Sequence, residues 1–381
     1  MNLLVCNAGS TSLKFKLFSF PSETVLARGR VERVGRASGA IYEYSDENHT
    51  VSDQDACVPG YREGVERFLT DLGPVSIDAV GFKTVLAQGY PGVYVLNDEI
   101  LSAMEKSLSV APAHNRAYLD AIAVFRLLMP DTPLVGVFET AFHQTIPLSH
   151  ALYSVPWEWY EQYGVRKMGY HGASHSYVAS RLAGYRRVIS CHLGGSGSLC
   201  AILDGKSIDN SFGLSLQAGV MNNNRCGDID PYIIFYMEKM GLSTHEIERA
   251  LATKSGLAGI SGISGDLREV QAAMEAGNER ARLAIDMYAL SVARYVGAYA
   301  LELGGLDALA FTGGIGEKSP LIREKVCAYA RPLGVEIDSQ ANARGEYDIS
   351  SPASSAHVFV IPADEEIVVA RRAWELLSGA R

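Results

Sequence analysis

The sequence predicts an α/β protein made of two related halves. Three observations lead there. Helical patterns alternate with short apolar strands along the chain, as expected when helices are laid on sheets. A strand–turn–strand segment near the start is echoed about midway. The length, 381 residues, allows two separate hydrophobic cores.

The echo is the more specific signal. "NLLVCNAGSTSLKFKLF" (2–18) and "RRVISCHLGGSGSLCAIL" (186–203) share G-S-x-S-L: Gly9, Ser10, Ser12 and Leu13 against Gly195, Ser196, Ser198 and Leu199. Two such hairpins suggest a duplication, with coincidence between Gly/Ser turns as the alternative. Between them "SIDAVGF" and "DTPLVGVF" read as buried strands. "NDEILSAMEKSL", capped by Asn97 or Asp98, and "HNRAYLDAIAVFRLLM" read as helices. In the second half "NERARLAIDMYALSVARYVGAYALELGG" is a long helix. Its apolar positions are taken as Leu283, Met287, Leu290, Tyr295 and Ala298, and Gly304 and Gly305 end it. The strand "LDALAF" then runs into "TGGIGEKS", and "HVFVIPADEEIVVARRAWELL" is a strand, a turn and a terminal helix.

Composition narrows the function classes. A net charge of −9 argues against nucleic-acid binding, which favours a basic face, but leaves phosphate ligands open. No apolar run of about 18 residues is present, so no membrane span is expected. The N-terminus reads as lacking a leader. The six cysteines are scattered and include no C-x-x-C pair. The expectation is a reduced, cytoplasmic protein with inert buried thiols and without the clustered ligands of a structural zinc site.

Three glycine-rich turns after apolar strands carry the local chemistry: "NAGSTS", "HLGGSGS" and "TGGIGEKS". Glycine lets backbone amides approach an anion and form a phosphate-binding concavity. Lys14 adds a point charge beside the first turn. None matches a Walker loop or a dinucleotide fingerprint. In "GYHGASHSYVA", His171 and His175 are four apart; one bonding phosphate oxygens while the other supports structure is the preferred reading over a zinc pair. Arg225 in "NNNRCGDIDP" is either a surface charge or a guanidinium for a transferring phosphoryl group. Glu365 in "PADEEIVVARR" either favours a helix N-terminus or holds Mg²⁺. Glu139 in "LVGVFETAFHQTIP" is either a catalytic acid at a strand tip or the first polar residue of a loop.

Taken together, these segments resemble the acetate kinase family, within the sugar-kinase, Hsp70 and actin-like phosphotransferases. The resemblance runs nearly end to end, through "NAGSTSLKF", "VAPAHN", "VFETAFHQTIP", "WYEQYGVRKMGYHGASHSYVA", "NRCGDIDP", "KSGLAGISGISGDLREV", "FTGGIGEKS" and "VIPADEE". It implies two duplicated ribonuclease H-like α/β domains with a cleft between them, residues 1–150 with 367–381 and residues 151–366. It also implies reversible transfer of the ATP γ-phosphate to a short carboxylate, acetate to acetyl phosphate, with Mg²⁺ or Mn²⁺, in a homodimer.

The resemblance carries roles to particular residues. Glu139, His171 and Arg225 match catalytic positions, Lys83 the acyl-substrate position, and Asn7 and Glu365 the magnesium-associated ones. Lys14 and the turn of His192, Leu193, Gly194, Gly195 and Ser196 match positions along the phosphates. Asp266, Leu267 and Arg268, with Gly314, Ile315, Gly316, Glu317 and Lys318, match those around the nucleotide.

The chain also departs from the pattern. "GFKTVLAQG" puts Lys83 where the family has arginine, with Phe82 and Leu86 at flanking histidine positions. Glu139 replaces an aspartate, Gly195 an asparagine, "NNN" the M-G-T before the arginine, and Lys318 an asparagine. Lysine keeps the charge but not the bidentate fork. A different small acid or phosphoryl donor, or a weakly catalytic ATP-binding protein, are the alternative readings.

Overall fold

A computed structural model describes residues 1–110 and 112–379, without the side chains at 109 and 112–114, so the "VAPAHN" segment lies partly outside the described residues. The chain divides into two compact units, Met1–Gln144 with Asp364–Arg381, and Thr145–Ala363.

The first unit is built on an eight-stranded sheet. Its strands are β1 (Asn2–Gly9), β2 (Ser12–Ser19), β3 (Thr24–Glu32), β4 (Arg36–Asp46), β5 (Thr50–Val58), β6 (Ala79–Phe82), β7 (Val93–Val95) and β8 (Leu134–Val137). Their order is β5-β4-β3-β2-β1-β6-β8-β7. β1 is antiparallel to β2 and parallel to β6, which is parallel to β8. The burial patterns follow from these positions. Central β1 buries Leu3, Leu4, Val5 and Cys6 in succession, while β2 alternates buried Leu13, Phe15 and Leu17 with Lys14 and Lys16.

The second unit repeats this plan. β9 (Arg187–Leu193), β10 (Gly197–Leu203) and β11 (Lys206–Asn210) are antiparallel, and β12 (Ala308–Thr312) and β13 (His357–Val360) continue in parallel. The order β11-β10-β9-β12-β13 matches β3-β2-β1-β6-β8 strand for strand. The echoed motif is therefore the first hairpin of each sheet, with Leu13 and Leu199 both fully buried.

One helix of the first unit comes from far along the chain. Glu365–Ser378 follows β13 in sequence but packs on β1, β6 and β8 of the first unit. Gly172–Arg181 precedes the strands of its own unit and packs on β9. The returning helix is seated closely: a methyl on Gly81 of β6 would lie 3.0 Å from Val369 Cγ1, Trp374 stacks on Phe20 at 5.4 Å, and Arg371 pairs with Glu23 at 2.7 Å.

The long helix, Glu279–Glu302, corrects the sequence reading of its inner face. Buried are Ala281, Ala284, Ile285, Tyr288, Ala289, Val292, Val296, Tyr299 and Ala300. Leu283 and Met287 are exposed, and Leu290 and Tyr295 are only half-buried. The helix carries two apolar stripes. The inner one uses alanines that let it approach β9 and β10 closely, and the reading by side-chain size selected the other. Asn97, not Asp98, caps its helix by accepting from Ile100 N. "GGIGEK" forms a short helix, Gly313–Lys318, rather than a turn. Among the described residues no helix is long and apolar enough to cross a membrane.

Ile285→Ala should therefore lower unfolding free energy by about 2–5 kcal/mol, and Leu283→Ala by no more than about 0.5 kcal/mol, measured by urea denaturation.

Candidate active site

In the first unit, Glu139 lies two residues beyond the end of β8 and is only 6% exposed. Its backbone N–H donates to Thr84 O at 2.8 Å, fixing the chain where it leaves the strand. A carboxylate so placed needs a cation, and Lys83, just past the end of parallel β6, supplies it with Nζ 3.1 Å from Glu139 Oε1. The same ammonium donates to Glu365 Oε2, at the first position of the returning helix. Burial pulls the Lys83 pKa down, but the two carboxylates outweigh it and hold the amine protonated, well above its ordinary value.

Asn7 on β1 stands next to this group in sequence role but bonds elsewhere. Its Nδ2 donates to Glu366 Oε1 at 2.9 Å, while its buried Oδ1 has no hydrogen-bond partner among the described residues. Asn7 faces Lys14 directly across β1 and β2, and Lys14 is exposed. Glu366 was not singled out from sequence; its only signal there is adjacency to Glu365.

In the second unit a hydroxyl–imidazole network organises the candidate phosphate residues. Ser198 Oγ, on β10, lies 2.9 Å from His171 Nδ1 and 2.8 Å from His175 Nε2. His175 Nδ1 lies 2.9 Å from Ser190 Oγ, so this fully buried ring is bracketed by two serines. That is a structural histidine. His171 holds a left-handed backbone, φ 57°, at the head of Gly172–Arg181, a conformation unfavourable for a residue with a side chain. Its ring lies 4.1 Å, centroid to centroid, from that of His192, which is anchored by Ser174 Oγ at 2.8 Å from Nδ1.

The β9–β10 turn is fastened to the "NNN" loop. Gly197 N donates to Asn222 Oδ1 at 2.6 Å, and Asn223 N to Gly195 O at 3.3 Å. A Cβ on Gly195 would meet only Asn223 Nδ2, at 3.5 Å, an ordinary van der Waals contact. Arg225, at the end of this loop, donates to Ser196 Oγ. Among the described residues no carboxylate pairs with it, and burial lowers its pKa from the ordinary arginine value. Ser174 was missed from sequence, and Asn222 and Asn223 were noted only as part of "NNN". Ser198 had a signal, since it belongs to the echoed motif.

The residues expected around a nucleotide divide into exposed and engaged. Asp266 caps Leu267–Glu275, accepting from Arg268 N at 2.9 Å, and the exposed Arg268 guanidinium folds back onto it. Leu267 is in the hydrophobic core, so only its backbone can meet a ligand. Gly314 and Lys318 are exposed, Ile315 packs against the core, and Gly316 is buried. Glu317 Oε1 accepts from Gly313 N and Ala363 N, both at 3.0 Å, and so ties its helix to the segment beyond β13. Gly313 has φ 76°, and a Cβ there would lie 2.8 Å from Leu193 O; only glycine lets this helix start against β9.

Two sheets of one topology, each opening with a Gly/Ser-bordered hairpin, give the duplicated-domain fold of the sugar-kinase, Hsp70 and actin type. Solved structures agree. The chain is similar to Porphyromonas gingivalis acetate kinase, with 36% identity, TM-score 0.86 and 99% of both chains covered. It is likewise similar to a propionate kinase from Francisella tularensis, with 35% identity, TM-score 0.89 and 97% and 98% covered. Among curated proteins, the acetate kinase of Shouchella clausii is 42% identical over 395 residues, 99% of each chain. The model of the acetokinase family matches residues 2–371. The chain belongs to the acetokinase family, and it is an acetate kinase-type phosphotransferase with a carboxyl group as acceptor.

Lys83→Met should cost about 3–5 kcal/mol of stability, because it removes the ammonium that two mostly buried carboxylates share. The lysine pKa is raised on folding, so its contribution is complete below the ordinary lysine range and is lost only as pH climbs through the folded value. Urea unfolding at about pH 7 and about pH 9 should give the same difference between the two proteins.

Proposed function

We propose that the protein transfers the γ-phosphoryl group of ATP reversibly to a short-chain carboxylate, acetate first, by direct in-line displacement. The observation that carries this reading is Arg225, a half-buried guanidinium with no carboxylate partner among the described residues, held by Ser196 on a glycine-rich turn. An unneutralised guanidinium there suits the charge that accumulates on a phosphoryl group in flight. A carboxylate oxygen attacks the γ-phosphorus, the bond to the bridging oxygen breaks, and acyl phosphate and ADP result. The acceptor is already ionised, so no general base is needed. His171, locked through Nδ1, adds a hydrogen bond to the phosphoryl oxygens. Lys14, the turn from His192 to Ser196, Asp266, Arg268 and Gly314 to Lys318 bind the nucleotide, with Leu267, Ile315 and Gly316 contributing backbone.

The first unit supplies the acid-handling groups. Lys83 neutralises the acceptor carboxylate and Glu139 sets the position of that ammonium. Mg²⁺ fits the donor set: Asn7 Oδ1 is a buried oxygen with no partner among the described residues, and Glu365 adds a hard carboxylate. Mn²⁺ would suit the same oxygens. When bound, the ion screens phosphate charge. A second acceptor reading rests on one observation. Lys83 already holds two carboxylates, so its hold on acetate competes with them and a different small acid is the alternative. We take the protein to act in the reducing cytoplasm, consistent with free cysteines at all six positions, and as a homodimer, consistent with exposed Tyr232, Phe235, Tyr236 and Met240.

Incubation with ATP and Mg²⁺ over acetate, propionate, butyrate and larger acids, with hydroxylamine trapping, should yield hydroxamate; none with any acid would overturn the reading. Arg225→Ala should lower turnover by at least about 100-fold while ATP affinity by calorimetry stays within about threefold. Lys83→Arg should lower the acetate KM by about tenfold, through the bidentate fork; an unchanged KM removes Lys83 from the acyl position. Light scattering after gel filtration tests the dimer.

A further inference from the structure

Apart from the residues above, a second group of ligating side chains meets inside the Thr145–Ala363 unit. We propose that His150, Asp209 and Glu302 form a binding site for a divalent transition-metal ion, with Zn²⁺ the best fit. The three come from distant parts of the chain: the short helix Leu148–Ala151, strand β11, and the last turn of the long helix. One ligand atom from each lies within 4.8 Å of the others.

The group is not explained as a set of hydrogen bonds. His150 Nδ1 is 3.9 Å from Asp209 Oδ2 and 3.8 Å from Glu302 Oε2, beyond hydrogen-bond reach of both. That nitrogen is buried and has no hydrogen-bond partner among the described residues. Tetrahedral coordination at about 2.0–2.1 Å separates ligand atoms by about 3.4 Å, so a modest contraction brings all three onto one ion.

Three further features point to a cation. Asp209 is oriented by its other oxygen: Oδ1 accepts from Lys167 Nζ and from Asn210 N at 2.5 Å, which turns Oδ2 toward His150. This is the outer-shell support that metal-binding carboxylates commonly have. Glu302 is the final residue of a 24-residue helix, where the macrodipole disfavours an acid and a bound cation would relieve it. Tyr299 precedes Glu302 by three positions on the same helix face and is only 1% exposed. Its hydroxyl has no hydrogen-bond partner among the described residues, and Asp209 and Glu302 are both close enough to act on it. That buried oxygen can join the ion or hold its water. An imidazole with two carboxylates prefers zinc to magnesium, which separates this site from the oxygen-only set proposed for the reaction.

The ordinary alternative is a protonated His150 shared by two acids, and metal titration separates the two. Chelator-stripped full-length protein, held in excess Mg²⁺, is titrated calorimetrically with ZnCl₂. One Zn²⁺ per chain should bind, and His150→Ala and Glu302→Gln should each weaken it by at least about 100-fold while hydroxamate formation with Mg²⁺ stays at the wild-type rate. Co²⁺ should give the wild type a visible tetrahedral absorption band that His150→Ala lacks. Equal Zn²⁺ affinity and stoichiometry in all three proteins, or no binding below about 100 μM in the wild type, overturns the proposal. Glu302 is partly exposed, so its glutamine variant keeps the test open should His150→Ala fold poorly.

Discussion

The first unit depends on one ammonium ion. Lys83 holds Glu139 from the end of β8 and Glu365 from the start of a helix 282 positions later. Remove the charge and two mostly buried carboxylates lose the ammonium they share; remove either acid and a mostly buried lysine loses one of its two ion-pair partners. The interaction therefore joins the tips of two parallel strands to the helix that completes their layer. A guanidinium would make the same electrostatic sum with a wider, planar head. The compact ammonium bridges two single oxygens, a geometry suited to a point charge.

The second unit is organised by hydroxyls rather than by charge. Ser198 serves two imidazoles at once, Ser190 closes off His175, and Ser174 fixes His192. A hydroxyl can donate to one ring nitrogen and accept from another, so each ring's proton position is coupled to its neighbour's. The cost of the left-handed backbone at His171 is borne by this network and by the helix it begins. In the proposed reaction, rings held this way would need no reorganisation when charge develops nearby.

Much of this was legible in the sequence, and the limits have physical causes. The duplicated hairpin was visible because glycine and serine are needed at the turn and leucine under it in both units. The long helix was seen but turned to the wrong side, because small inner residues such as Ala284 and Ala289 pack as closely as large ones and carry little hydropathy signal. Strands β4 and β5 went unread: on β4 the buried Ala40, Tyr42 and Tyr44 are preceded by Ala, Ser and Gly and followed by polar residues, which blurs the alternation. Glu139 and Lys83 were placed by the family pattern, but the joint hold of Lys83 on Glu139 and Glu365 is tertiary. So is the meeting of His150, Asp209 and Glu302, whose positions in sequence share no spacing.

The returning helix makes the two units unequal in time. Thr145–Ala363 is one unbroken stretch and has all its residues once the ribosome has passed the end of β13. The first unit has its eight strands early, yet β1, β6 and β8 wait for the last helix of the chain to cover them. During synthesis its central strands thus stand with one helix layer missing and Lys83 with one of its two acids, until the final residues emerge.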